Sequence, residues 1–221
     1  CEFCHLSHRA SSAAPMWARR SSTTSYQPYF SSTAVARPGQ PTGSSLLCLS
    51  CHDGTIALGE IINRSSAVLM SGGNSRMPPG RGLTGTDLTD DHPISFQYTA
   101  SLAGQNGELK SPAALGPLIK LDSAGQLQCT SCHNAHDDTY GDFLVEPNVG
   151  SGLCLECHLT SGWSGSSHSL SMAGWNRRPP NPWPEGNYSS VADNGCGNCH
   201  LPHAAGGPRL LRHEEEEDNC S

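Results

Sequence analysis

Apolar and aromatic residues are scarce in this chain: 35% of its 221 residues are hydrophobic and 6% aromatic, against 24 glycines and 16 prolines. A polypeptide of that composition has too little apolar surface to build a conventional core for the one or two domains its length predicts. Charged residues make up only 15%, and the formal net charge of −7 argues against a nucleic-acid partner. No apolar run reaches the roughly 18 residues that a membrane-spanning helix needs. Long stretches have no helical or strand period, among them the Ser/Thr/Pro-rich segment Ser21 to Ser45 and the Gly/Pro-rich segment Ser71 to Asp91. The expected fold is therefore mostly irregular coil with short helices and a minimal β-hairpin.

Cysteine and histidine are the residues in surplus, with 11 of each. Ten of the cysteines fall in five copies of the pentapeptide C-x-x-C-H. Motif I runs from Cys1 and Cys4 to His5, motif II from Cys48 and Cys51 to His52, and motif III from Cys129 and Cys132 to His133. Motif IV runs from Cys154 and Cys157 to His158, and motif V from Cys196 and Cys199 to His200. At these residue frequencies chance predicts roughly 0.03 such pentapeptides in the chain. The spacing puts two thiols about one helical turn apart, where both can form thioethers to the vinyl groups of one haem, and the adjacent histidine then meets the iron axially. Zinc knuckles also use C-x-x-C pairs, but zinc has no need of the trailing histidine. A disulfide scaffold would use scattered cysteines in a shorter chain.

Five haems of the c type leave about 44 residues of chain for each. The porphyrins must then supply most of the apolar interior, and their propionates make the assembled protein more acidic than its sequence. Haem is attached covalently outside the bacterial cytoplasm, so an export signal is expected upstream of Cys1, and the protein is expected to be periplasmic or extracellular.

Three motifs extend to C-x-x-C-H-x-x-H, adding His8, His136 and His203; the other two are plain, giving an alternating repeat that reads as haem pairs. Motifs III and IV start 25 residues apart, and counting 24 on from Cys196 reaches Cys220, which with Ser221 reads as the opening of a sixth motif; a lone thiol or an intermolecular disulfide is the alternative. With the proximal histidines set aside, His8, His92, His136, His168, His203 and His213 remain as distal ligands, which predicts bis-histidine iron of low potential. A histidine three residues after a proximal one cannot reach the far face of the same haem. His8 is therefore assigned to motif II, His136 to motif IV and His203 to the sixth haem, with His92 serving motif I, His168 motif III and His213 either motif V or no iron, as a spectator on the acidic helix. The methionines Met16, Met70, Met77 and Met172 are alternative ligands that this supply of histidines makes unnecessary.

Elsewhere, Leu118 to Leu121 and Leu127 to Gln128, flanking Asp-Ser-Ala-Gly, predict a short hairpin. Arg209 to Asn219 predicts one more helix, carrying the acidic run Glu214 to Glu217, either a solvated face or a dock for a basic redox partner. Trp17, Tyr26, Tyr29 and Phe30 are expected to pack on haem faces.

Cys48-Leu-Ser-Cys-His-Asp-Gly-Thr-Ile-Ala, His92-Pro-Ile, Cys129-Thr-Ser-Cys-His-Asn-Ala-His and Cys196-Gly-Asn-Cys-His-Leu-Pro-His together resemble bacterial multihaem c-type cytochromes with paired C-x-x-C-H repeats, cytochrome c3-like and extracellular electron-transfer proteins among them. The resemblance implies an exported carrier with closely stacked haems in alternating parallel and T-shaped contact. In some such relatives a histidine of one subunit ligates a haem of the next within a filament. The chain divides on this reading into 1–128 with the first haem pair, 129–195 with the second and 196–221 with a third, all one haem-cored unit. The expected function is electron transfer through five haems, or six with Cys220, with redox proteins or further copies of itself as partners and no catalytic residue. The alternatives are a multihaem reductase, against which stands the absence of any C-x-x-C-K, and a haem-wiring subunit of a respiratory or photosynthetic complex.

Overall fold

The computed structural model describes residues 2–11, 16–178, 181–183, 186, 188–215 and 217–220. Its helices are α1 (Gly43–His52), α2 (Ala100–Asn106), α3 (Cys129–Cys132), α4 (Gly152–Cys157), α5 (Ser167–Leu170) and α6 (Val191–Asn194), joined by coil and single 3-10 turns. β1 (Phe96–Gln97) and β2 (Gln126–Leu127) form a two-stranded antiparallel sheet in the register Phe96 to Leu127 and Gln97 to Gln126. The expected fold class is the one observed. Among the described residues no helix is long and apolar enough to cross a membrane.

The motifs themselves are the helix-forming units. In motifs III, IV and V the histidine N–H donates to the carbonyl of the first cysteine at 2.9 Å, so the pentapeptide closes a single helical turn. His133 and His158 then leave the helix in extended conformation. The turn is thus long enough to carry both thiols and stops where the imidazole must swing away from them.

A return loop is repeated along with the turn. After each extended motif the chain loops back antiparallel to itself, bridging His5 with Trp17, His133 with Leu144 and His200 with Leu211. The carbonyls of the second cysteines Cys4, Cys132 and Cys199 accept from the N–H groups of Ala18, Val145 and Arg212. Leu6, Asn134 and Leu201 donate to Met16, Phe143 and Leu210. Each loop reverses through left-handed residues, Met16, Phe143 and Leu210 among them, with φ of 59°, 56° and 61°. This clamp explains why Arg209 to Asn219 is not a helix: Pro208, left-handed Arg209 and the returning Leu211 and Arg212 bind it back to motif V, leaving only the 3-10 turns Pro208–Leu210 and Glu217–Cys220.

The expected hairpin also forms differently. Asp122 to Gln126 is a tight turn, closed by Gly125 N–H to Asp122 O at 2.9 Å and Asp122 N–H to Gln126 O at 3.0 Å. The strand leaving it pairs with Phe96–Gln97 rather than with Leu118 to Leu121, because Phe96, Tyr98 and Leu127 bury one another in a shared cluster. A second small cluster joins Tyr26, Leu49 and Leu88.

The largest fully buried side chains are polar: Arg19, Gln128, Ser45, Ser50, Ser131, Ser151 and Ser190. Arg19 donates to the carbonyls of Leu58, Ser50 and Ala57, pinning the loop after motif I to motif II. Ser45, three residues before Cys48, donates to Gln128 Oε1 at 2.6 Å and accepts the Cys129 N–H at 2.9 Å. Ser151, three residues before Cys154, accepts the Cys196 N–H at 2.7 Å. One serine device thus joins motif II to III and motif IV to V, crossing both sequence-based boundaries near 128 and 195.

Leaving a buried donor unpaired costs about 1–3 kcal/mol. Ser45→Ala and Ser151→Ala should each lower stability by about that amount, seen as a lower guanidinium midpoint with an unchanged slope. Ser44→Ala, whose hydroxyl meets Thr130 on the exposed rim, should stay within about 0.5 kcal/mol of the parent; equal effects at Ser44 and Ser45 would remove the serine device.

Candidate cofactor-attachment sites

The thiols of consecutive motifs come close to one another. Cys48 and Cys129, the first cysteines of motifs II and III, hydrogen-bond to each other, as do Cys154 and Cys196 of motifs IV and V. The second cysteines make the intervening approaches: Cys51 is within electrostatic reach of Cys4, and Cys132 of Cys157. Cys4 is also within electrostatic reach of Cys48, and Cys132 of Cys154, so consecutive motifs approach one another through their cysteines. Cys1 and the Cys220 side chain lie outside the described residues.

The hydrogen bonds split each first-cysteine pair. In the first pair Cys48 is pushed up, by its bond to Cys129 and then by burial, while that same bond holds Cys129 down to about 7 against its own burial. In the second, Cys154 is pushed up and Cys196 held down to about 6 for the same reason, with Ser151 assisting. Burial pushes Cys132 up to about 12 and Cys157 to about 11.

The histidines meet in opposed pairs. His5 faces His136 with ring centroids 6.1 Å apart, His133 faces His203 at 6.2 Å, and His92 faces His158 at 6.3 Å. An imidazole nitrogen sits about 2.0–2.1 Å from a first-row metal and roughly 1.2 Å from its own ring centre, so imidazoles on opposite sides of one iron have centroids about 6–6.5 Å apart. The interplanar angles of 20°, 38° and 86° differ because rotation about the axial direction leaves that separation unchanged.

The ring nitrogens are prepared for ligation. Nδ1 of His133 donates to Asp142 O at 2.8 Å, that of His52 to Gly82 O at 2.6 Å and that of His92 to Pro93 O at 3.1 Å. Each bond fixes the tautomer and leaves Nε2 as the free lone pair. Burial holds His92 down to about 4, with His158 as a second cause, and burial also lowers His133 and His158. All three are neutral at pH 7, as a ligand must be. His203 is the exception: burial works against its charge, yet the Asp91 carboxylate, 2.8 Å from its Nδ1, raises it.

These pairs differ from the sequence-based assignment. His136 stands opposite motif I rather than motif IV, His203 opposite motif III rather than beyond motif V, and His92 opposite motif IV rather than motif I. Sequence distance misled because the second histidine of an extended motif crosses two motifs, not one. His168 lies exposed on α5 and His8 exposed in the loop after motif I. His213 lies on the strand returning from motif V, its backbone against Gly206 and Gly207.

The sites fit covalent haem. The opposed rings leave the separation an iron needs, and motifs II to V each present both thiols from one turn. Buried donors without partners collect at motif I, namely His5 Nδ1, Trp17 Nε1 and Arg19 Nε, where a haem's carboxylates would serve as acceptors. Among the described residues no group of three or more His, Cys, Asp or Glu side chains is placed to hold a bare metal ion. Of the aromatics expected on haem faces, Trp17 meets His5 edge-on at 5.9 Å, Tyr26 is buried with its hydroxyl donating to Asp53, and Phe30 is exposed beneath Arg37.

Asp91 is the residue that sequence reading missed. It is 5% exposed, holds His203, and immediately precedes His92, whose N–H bonds to Pro202 O at 2.8 Å. One dipeptide thus orients the histidine opposite motif III and supplies the one opposite motif IV. Only the tight Asp91-His92-Pro93 sequence hinted at it.

Residues 123–161, which hold motifs III and IV, match the family profile described as a doubled CXXCH motif. No curated protein matches the chain. The match supports a multihaem c-type cytochrome in general, and its motifs imply covalently bound haem c. A carboxylate on the far nitrogen raises the basicity of a ligating imidazole. Asp91→Asn should therefore raise the reduction potential of one haem and leave the others in place, read by spectroelectrochemical titration; Asp91→Glu should restore the parent titration, and unchanged potentials in Asp91→Asn would remove the role.

Proposed function

We propose that this chain is an electron conduit in which five c-type haems are held in sequence order by thioethers from Cys1, Cys4, Cys48, Cys51, Cys129, Cys132, Cys154, Cys157, Cys196 and Cys199. His5, His52, His133, His158 and His200 are the proximal ligands. The observation that carries this reading is the set of three opposed imidazole pairs at the separation of bis-histidine iron. When bound, each haem supplies a one-electron iron couple. The protein's own residues space the attachment turns, hold the tautomers and exclude water through the serine, Gln128 and Arg19 networks.

Three residue pairs then complete coordination from across the fold: His136 for motif I, His203 for motif III and His92 for motif IV. His8, His168 and His213 remain as candidate ligands for other irons. A sixth haem at Cys220 extends the same series. Neither a catalytic base nor a substrate cleft enters the proposal, which sets the reductase reading second. Covalent haem attachment supports a periplasmic or extracellular location, and the net charge of −7 suits basic redox partners, with further copies of the chain as the other partners.

Intact-mass measurement of the purified protein should give the chain plus five haems that stay attached in acidified acetone, and reductive titration should consume one electron for each. Fewer haems, or colour lost to the solvent, would overturn the proposal. Steady turnover of nitrite, hydroxylamine or sulfite by the reduced protein would replace it with the reductase reading.

A further inference from the structure

The three return loops place one side chain at the same point of each repeat. Each loop comes back to its attachment turn with a residue that bridges the motif histidine: Trp17, Leu144 and Leu211 in turn. The next residue, Ala18, Val145 or Arg212, donates its N–H to the carbonyl of the second cysteine. The residue after that is Arg19, Glu146 or His213. One position therefore carries a cation after motif I, a carboxylate after motif III and an imidazole after motif V. His213 at the third place is a candidate ligand, and the assignment below concerns the other two.

Arg19 and Glu146 both bring charge against attachment cysteines. Arg19 is fully buried, and its guanidinium donates to the carbonyls of Leu58, Ser50 and Ala57, of which Ser50 lies between the two cysteines of motif II. Its Nε has no hydrogen-bond partner among the described residues, and neither has the buried Oε1 of Glu146. Arg19 is within electrostatic reach of Cys51 and acts on it more strongly than the buried Asp53, which Tyr26 and Thr55 already hold. Glu146 is within reach of Cys132, and also of Cys157, where Glu156 acts with it and Lys110 against it. Cys51 approaches Cys4 and Cys132 approaches Cys157, so the two residues stand at equivalent junctions with opposite charge.

A thioether ties each of these cysteines to the edge of its haem, so charge held at the cysteine acts on the iron couple, and burial spares it from screening by salt. A cation there favours the reduced iron and a carboxylate the oxidised iron. Resting on the conduit reading, we propose that this position of the return loop is where the chain sets its haem potentials apart. Arg19 raises the potential of the motif II haem and Glu146 lowers that of the motif III haem, so that electrons rest at motif II in preference to motif III.

The test uses the holoprotein, shown by intact mass to hold five haems, with its midpoint potentials resolved by spectroelectrochemical titration at mildly alkaline pH. Burial pushes the Glu146 carboxyl up, Glu156 adds to this and Lys110 opposes it, and that pH keeps the group ionised. Glu146→Gln should raise one midpoint, Glu146→Lys should raise the same one further, and Glu146→Asp should leave it near the parent. The midpoint that moves should be the one that Asp91→Asn raises, since both carboxylates act at motif III. Arg19→Gln should lower a different midpoint, and Arg19→Lys should hold it. Arg19 also anchors three carbonyls, so where Arg19→Gln yields no five-haem protein the Glu146 series decides the proposal. Midpoints unmoved in either Gln variant, a rise in Arg19→Gln, equal shifts in Glu146→Asp and Glu146→Gln, or a uniform drift of all five midpoints would overturn it. A parent holding fewer than five haems would instead overturn the conduit reading beneath it.

Discussion

Two imidazoles placed on opposite sides of one iron must come from different parts of the chain, because the porphyrin attached at a C-x-x-C-H turn blocks its own histidine's neighbours from the far face. On the conduit reading, that steric constraint organises the molecule. His136, His203 and His92 are each delivered across long sequence separations to the motifs they face. The return loops, the buried serines and the Asp91-His92 segment exist as the means of delivery. A chain with so little apolar side chain gains its long-range order from these crossings rather than from a core.

The polar interior arises from the same demand. An attachment turn must keep its thiols and ring in register with the next turn to within a fraction of an ångström. Directional hydrogen bonds do this better than apolar contacts. Ser45 with Cys129 and Ser151 with Cys196 fix adjacent turns through backbone N–H groups, where a shift of one residue would leave a buried donor unpaired. Arg19 does the corresponding work between motifs I and II with three carbonyls at once.

The sequence made the attachment turns legible, since Cys-to-His spacing and a single helical turn are the same geometric fact. The coil-rich architecture was legible too, from Gly, Pro and the lack of period. The partners of the histidines were not. Choosing His136 for motif IV relied on nearness along the chain, whereas the fold carries it to motif I. The strand at Gln126–Leu127 was visible in its turn, but its partner Phe96–Gln97 depends on burial with Tyr98, which no local pattern encodes. Asp91 was invisible because its importance arises only where the loop at Pro202 and His203 crosses it.

Asp91 also separates the middle of the series from its ends. His52, His92 and His133 rest Nδ1 on neutral carbonyls, whereas His203 rests it on a buried carboxylate. A buried anion on a ligand's second nitrogen favours the more positive state of the metal beyond it. The iron coordinated by His133 and His203 would then be the hardest to reduce of those whose ligand geometry is described, and it sits third in the series. Electrons crossing the protein would meet a rise at its centre, which slows passage less than a gap in spacing would but sets which side of the chain holds charge at rest. On the conduit reading, the placement of this one carboxylate, beside the His92 that faces motif IV, would link sites III and IV in potential as well as in position.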